Sequence, residues 1–231
     1  MKILSVDSSA KTASVAVTDG TTLLSECFVN AGLTHSRTLM PMVDNALSQV
    51  DLKIENIDAI CVNAGPGSFT GIRIGVAAVK GLALATDKPC SGVSTLESIA
   101  YNCIDEDAII CAAMDARCNQ VYAALFNVEN GSVSRICDDY AVPICELVEE
   151  IAKLGKTVIL AGDGAELCYN AMKGSVSNIK LSAEFRRYQR AYGAALAALA
   201  NNEFTDSSLL APVYLRMPQA ERELKLKKEN D

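Results

Sequence analysis

Residues 3–30 carry short apolar and β-branched runs, "ILSVDSS", "ASVAVTDG" and "TLLSECFV", separated by polar turns, with Asp19-Gly20 as a hairpin signal. The pattern predicts an antiparallel meander. From Thr34 to Val50 the period lengthens, and Leu39, Val43, Ala46 and Val50 fall on one face of a helix. "IDAICVNAG" then reads as a buried strand running into a Gly-rich turn, "NAGPGSFTGIRIG". Phe69 to Thr86 reads as a second helix, "KPCSGVS" as another strand, and Thr95 to Asn102 as a third helix. The predicted order is βββαβαβα.

The second half repeats features of the first. "ILSVDSSAKTASVAV" from residue 3 lies over "CAAMDARCNQVYAAL" from residue 111, with Asp7 above Asp115, and "NAGPGS" at 63–68 matches "LAGDGA" at 160–165. Two matched features in the same order point to a duplicated lobe. The expected division is a first lobe at 1–103, a second at 104–215 and an exposed tail at 216–231.

Composition narrows the function classes. Half of the 231 residues are hydrophobic, as a globular core requires, and 21 Lys plus Arg against 28 Asp plus Glu leave a net charge of −7. That sign opposes an extended grip on RNA, because neutralising phosphate supplies most of such affinity. The nine cysteines are widely spaced and mostly set in apolar runs, which reads as buried thiols in a reducing compartment, with neither disulfide nor zinc spacing. The start "MKILSVD" reaches a charge too soon for a secretory leader, and no uncharged run is long enough for a membrane span, so a cytoplasmic location is expected.

The Gly-rich turn admits two readings. A strand entering Gly65-Pro66-Gly67-Ser68 and then a helix points backbone N–H groups outward, which suits an anion. Yet no Gly-Lys-Ser/Thr follows, Pro66 lacks a donor, and Phe69 fills the helix entry. The residues favour a sharp structural corner, with Asp7, Gly65, Gly67 and Ser68 as the weak candidates for nucleotide or anion contact. His35, the single histidine, precedes a helix with no nucleophile motif beside it, so a capping or surface role is expected. "FRRYQRAYG" at 185–193 could stack on RNA or form a solvated helical turn.

The helix from Phe69 to Thr86 has only two charges, Arg73 and Lys80, on one narrow stripe. A helix apolar over most of its circumference needs cover on both sides. Gly71, Gly75, Ala78 and Gly81 are small enough for close approach, and Met40 and Leu47 lie off the Leu39-Val43 stripe of the preceding helix. The pair of helices carries apolar surface to spare.

Two βββαβα lobes, each opening on a strand that ends in Asp, resemble the α/β superfold of actin, hexokinase and the Hsp70 ATPase. "ILSVDSSAKTASVAV", "THSRTLMP", "NAGPGSFTGIRIG", "GVSTLESIA", and "APVYLR" with "AERE" together resemble the TsaB (YeaZ) family. The resemblance implies a non-catalytic scaffold and activator in making N6-threonylcarbamoyladenosine at adenosine 37 of tRNAs reading ANN codons. Its implied partners are the catalytic TsaD subunit and the TsaE ATPase, a second copy of itself when alone, and tRNA only through the complex. The implied contact surface is the helix pair, with Leu39, Met40, Val43, Leu47, Gly71, Ile74, Gly75, Ala78, Gly81 and Leu82.

In the fold relatives, glycine-containing Asp hairpins clamp ATP; here "VDSSAKT" and "MDARCNQ" contain no glycine, so the clamp looks degraded. The catalytic sister's metal-binding histidines correspond to Thr95 and Ile99, which cannot act as their replacement ligands. No catalytic residue, metal or cofactor is therefore expected of this chain, and ATP or ADP with magnesium would belong to the complex interface. The alternative is a stand-alone ATPase or phosphotransferase with Asp7 on magnesium.

Overall fold

The computed structural model describes residues 1–216. The first lobe comprises β1 (Lys2–Asp7), β2 (Ala13–Asp19), β3 (Thr22–Val29), α1 (His35–Ser48), β4 (Ala59–Gly65), α2 (Phe69–Thr86), β5 (Cys90–Ser94) and α3 (Thr95–Tyr101). The second lobe repeats the plan with β6 (Ala108–Asp115), β7 (Gln120–Glu129), β8 (Ser132–Arg135), β9 (Tyr140–Pro143), α4 (Ile144–Ala152), β10 (Val158–Ala161), α5 (Ala165–Met172) and β11 (Ile179–Leu181). It closes with α6 (Glu184–Arg187) and α7 (Ala191–Asn201).

The two sheets have corresponding orders, β3-β2-β1-β4-β5 and β11-β10-β6-β7-β8, with β9 also pairing with β7. In each, the meander is antiparallel and the later strands run parallel to the first. The duplication extends to the turns. Asp7 and Asp115 end β1 and β6, while Gly65 and Gly162 stand at the ends of β4 and β10.

The lobes exchange helices. Leu96, Ile99 and Ala100 of α3 pack with Ile110, Ala112, Ala124 and Phe126 of the second sheet. Ala194, Ala195 and Ala198 of α7 pack instead with Ile3, Cys61 and Val93 of the first. Sheet lies on one side of α7 and α3 on the other, which explains its apolar circumference. The crossing is close: a Cβ on Gly193 would overlap the Ser98 carbonyl. The chain divides near residue 103, but the cores do not.

Candidate functional site

The turns that the duplication pairs meet in a cleft between the lobes, with a volume of about 640 Å³. Ser9, Ala10 and Lys11 come from the β1–β2 turn and Gly67 to Thr70 from the start of α2. Asp115 to Arg117 and Asp163 face them from the second lobe. Segment 213–216 runs across the opening. Val213 donates its N–H to the Ala64 carbonyl at 2.8 Å, Tyr214 lies 4.8 Å from the Phe69 ring, and Arg216 donates to the Ala116 carbonyl at 3.0 Å. Arg73 completes the contact, over Phe69 at 3.7 Å and bonded to the Tyr214 hydroxyl at 2.8 Å.

Inside the cleft the Gly-rich turn is spent on the fold itself. Ser68 N–H donates to the Ser9 carbonyl at 2.6 Å, and Ser68 Oγ caps α2 by accepting from Gly71 N–H at 3.3 Å. Gly65 and Gly67 have φ of 133° and 158°, and a Cβ on either would overlap the carbonyl of Val213 or Ser9. Gly162, at φ 104°, packs against Ala113 in the same manner. Backbone packing therefore requires Gly65 and Gly67, while Gly67 and Ser68 also line the cleft.

Asp7 is fully buried. Its Oδ1 accepts from Ser9 N–H at 3.2 Å, Ser9 Oγ at 2.6 Å and Asn63 Nδ2 at 2.8 Å, while Oδ2 and Asn63 Oδ1 have no partner among the described residues. Burial raises its pKa, against the lowering effect of those hydrogen bonds. The carboxylate is thus held inside the first lobe and is not among the residues that line the cleft. Burial also pushes Asp163 up to about 6, opposed by its hydrogen bond from Gln189 at 2.8 Å. Among the described residues no group of three metal-ligating side chains occurs.

The expected contact surface divides by burial. Leu39, Val43 and Leu47 are largely buried and belong to the core of the first sheet. Gly71 and Gly75 are small because Ser8 of the β1–β2 turn presses on them, not because another helix does. Met40, Ile74, Ala78, Gly81 and Leu82 keep exposed or half-exposed positions, joined by Ala77, Ala85 and Leu84, which is 78% exposed. Only a third of α2 is buried, although its length and hydropathy would suit a membrane span. Its inner residues Ile72, Val76, Val79 and Ala83 belong to the core of the first sheet. Beside it, Met40, Val43, Asp44, Leu47, Leu52 and Leu82 line a shallow groove of about 330 Å³.

Three other expectations change. His35 neither caps nor faces solvent: its Nε2 lies 2.8 Å from the Ala10 carbonyl, tying α1 to the β1–β2 turn. The 185–193 cluster has its cations engaged within the chain. Arg186 pairs with Asp105 and Glu106, Arg187 with Glu166, and Arg190 with Glu26 at 2.6 Å while lying over Phe28. They link segments of the fold. Cys118 and Cys145 are exposed, whereas the sequence pattern suggested buried thiols throughout. The tail expected from 216 onward lies outside the described residues, apart from Arg216 itself. The segment "APVYLR" is the strap over the cleft, with Tyr214 and Arg216 as the residues in it that a sequence shows able to make such contacts.

The family model for TsaD, tRNA N6-adenosine threonylcarbamoyltransferase, matches residues 30–223. The tRNA threonylcarbamoyladenosine biosynthesis protein TsaB of Bacillus subtilis is 32% identical over 96% of this chain and 96% of its own length. The chain belongs to the TsaB (YeaZ) family. Its TsaD-related domain agrees with the duplicated architecture, and YeaZ from Pseudomonas aeruginosa superposes with a TM-score of 0.77 at 27% identity, covering 93% of this chain and 99% of that one. The activator of 2-hydroxyisocaproyl-CoA dehydratase from Clostridium difficile, solved with bound ADPNP, matches with a TM-score of 0.50 at 12% identity, over 87% of this chain and 95% of that one. That likeness carries the actin-like fold alone. As a TsaB protein, the chain takes its place in the tRNA threonylcarbamoyladenosine modification.

Proposed function

We propose that this TsaB-family chain is a non-catalytic scaffold and activator, docking through the outer face of α2 onto the catalytic TsaD subunit, with TsaE joining the pair. The observation that carries the reading is the uncovered apolar stripe of Ala77, Gly81, Leu84 and Ala85, flanked by Ile74, Ala78 and Leu82. An exposed stripe of this kind on a long helix calls for a partner helix. The same face serves a homodimer when the chain is alone, and tRNA is reached through the complex in the cytoplasm.

The engaged Gly-rich turn and enclosed Asp7 support an accessory role rather than a nucleotide-hydrolysing one. ATP or ADP with magnesium then belongs to the interface of the complex. The test is reconstitution of tRNA threonylcarbamoylation from purified TsaD, TsaE and the enzyme that makes the adenylate, with and without this chain. Modification only in its presence is expected, and equal modification without it overturns the reading. Measured with the isolated chain, ATP turnover would favour the stand-alone ATPase instead.

A further inference from the structure

Five of the nine cysteines, Cys61, Cys90, Cys103, Cys111 and Cys168, are buried, and burial pushes Cys168 up to about 12 and Cys61 higher still, which leaves these thiols unreactive. Cys27 and Cys137 are half-buried. Cys118 and Cys145 alone are exposed. The two flank a single backbone contact at the end of the β7–β9 ladder. Gln120 stands opposite Pro143, and one step outward Ile144 donates its N–H to the Asn119 carbonyl at 3.0 Å. The next residue on each side is a cysteine.

Residues directly opposite in an antiparallel pair have Cα atoms roughly 4.5–5.5 Å apart, within the span of about 4.4–6.8 Å that a disulfide bridges. The regular ladder ends here, since Cys118 has φ 52° between two further left-handed residues at the exposed hairpin tip, and Cys145 enters the first turn of α4. Both thiols are free, and joining them requires the hairpin tip to move.

We propose that Cys118 and Cys145 are a redox modification site that closes to a reversible intramolecular disulfide on meeting hydrogen peroxide. The Cys145 thiolate attacks one peroxide oxygen; the S–O bond forms, the O–O bond breaks, and hydroxide leaves and takes up a proton to become water. The Cys118 sulfur then attacks the sulfenic sulfur, the S–S bond forms, and the S–O bond breaks with loss of a second water. The two thiols give up two electrons, and exchange with a small thiol such as glutathione restores them. The bond pins to α4 the hairpin whose Asp115 to Arg117 form one rim of the cleft.

The test treats the full chain with hydrogen peroxide, blocks remaining thiols, and maps peptides without reduction. Loss of two of the nine thiols is expected, with one cross-linked peptide pair carrying Cys118 and Cys145 from a single chain, and with full recovery on adding dithiothreitol. Both positions are exposed, so Cys118→Ser and Cys145→Ser should fold normally. Cys118→Ser should leave a sulfenic acid at Cys145 that dimedone captures, and Cys145→Ser should leave no cross-link. Independent alkylation of both cysteines after oxidant, or a disulfide found only between two chains, overturns the proposal.

Discussion

Asp7 shows how a residue type can persist while its chemistry changes. Its Oδ2 and the Asn63 Oδ1 are both buried acceptors without a donor, on two side chains already joined through Oδ1 and Nδ2. For an acid whose folded pKa lies above its unfolded value near 3.8, ionisation is disfavoured by folding, so stability falls as pH rises from that value toward the folded pKa. Asp7→Asn should therefore stabilise the chain at pH 7 by about 1–2 kcal/mol, with the gain vanishing near pH 4. Denaturant unfolding of both proteins at the two pH values checks this. The sequence exposed Asp7 as a strand-ending carboxylate but could not show its enclosure, because Asn63, which closes it together with the adjacent Ser9, lies on β4 and reaches it only through the β1–β4 pairing.

At the scale of elements, helix limits were more legible than helix orientation. Phe69 and Thr86 bound α2 as read, since Ser68 caps the start and Asp87 takes a left-handed conformation at the end. Periodicity reveals a stripe without saying whether it meets a sheet or a partner, and the structure packs Leu39, Val43 and Leu47 of α1 into the core of the first sheet. That burial changes the choice of test. Val43→Glu should unfold the chain, because an uncompensated charge at a core position costs about 3–5 kcal/mol. Leu84→Glu should fold with an unchanged melting temperature and lose association, measured by pull-down and sedimentation; undiminished binding would reject the α2 face.

Glycines on two helices give a sharper contrast. Gly81→Ala meets open space in a helix interior and should stabilise by roughly 0.5–1 kcal/mol. Gly193→Ala drives a methyl into the Ser98 carbonyl and should destabilise by about 1–3 kcal/mol. Equal shifts in the two melting curves would contradict the packing of α7 on α3. The sequence signalled small residues in both helices, but which of them touch backbone depends on a crossing between segments far apart in the chain.

For the whole molecule, the duplication could be read because Asp7 with Asp115 and Gly65 with Gly162 keep their order, and the sheets repeat it strand for strand. The exchange of α3 and α7 could not, since an enclosed apolar helix carries no mark of whose sheet it covers. A fragment of residues 1–103 should accordingly lack a cooperative unfolding transition, despite containing the whole first sheet. Circular dichroism on thermal ramping of that fragment, with and without a second fragment starting at residue 104, measures this; a sharp transition for the first piece alone would show the lobes to be independent.

The same exchange bears on synthesis. Emerging from the ribosome, the first lobe would present Ile3, Cys61 and Val93 to the surrounding medium until residues 191–201 are made, after every strand of both sheets. A nascent chain stalled before α7 should be a preferred client of holdase chaperones, and release from them should coincide with the arrival of that helix.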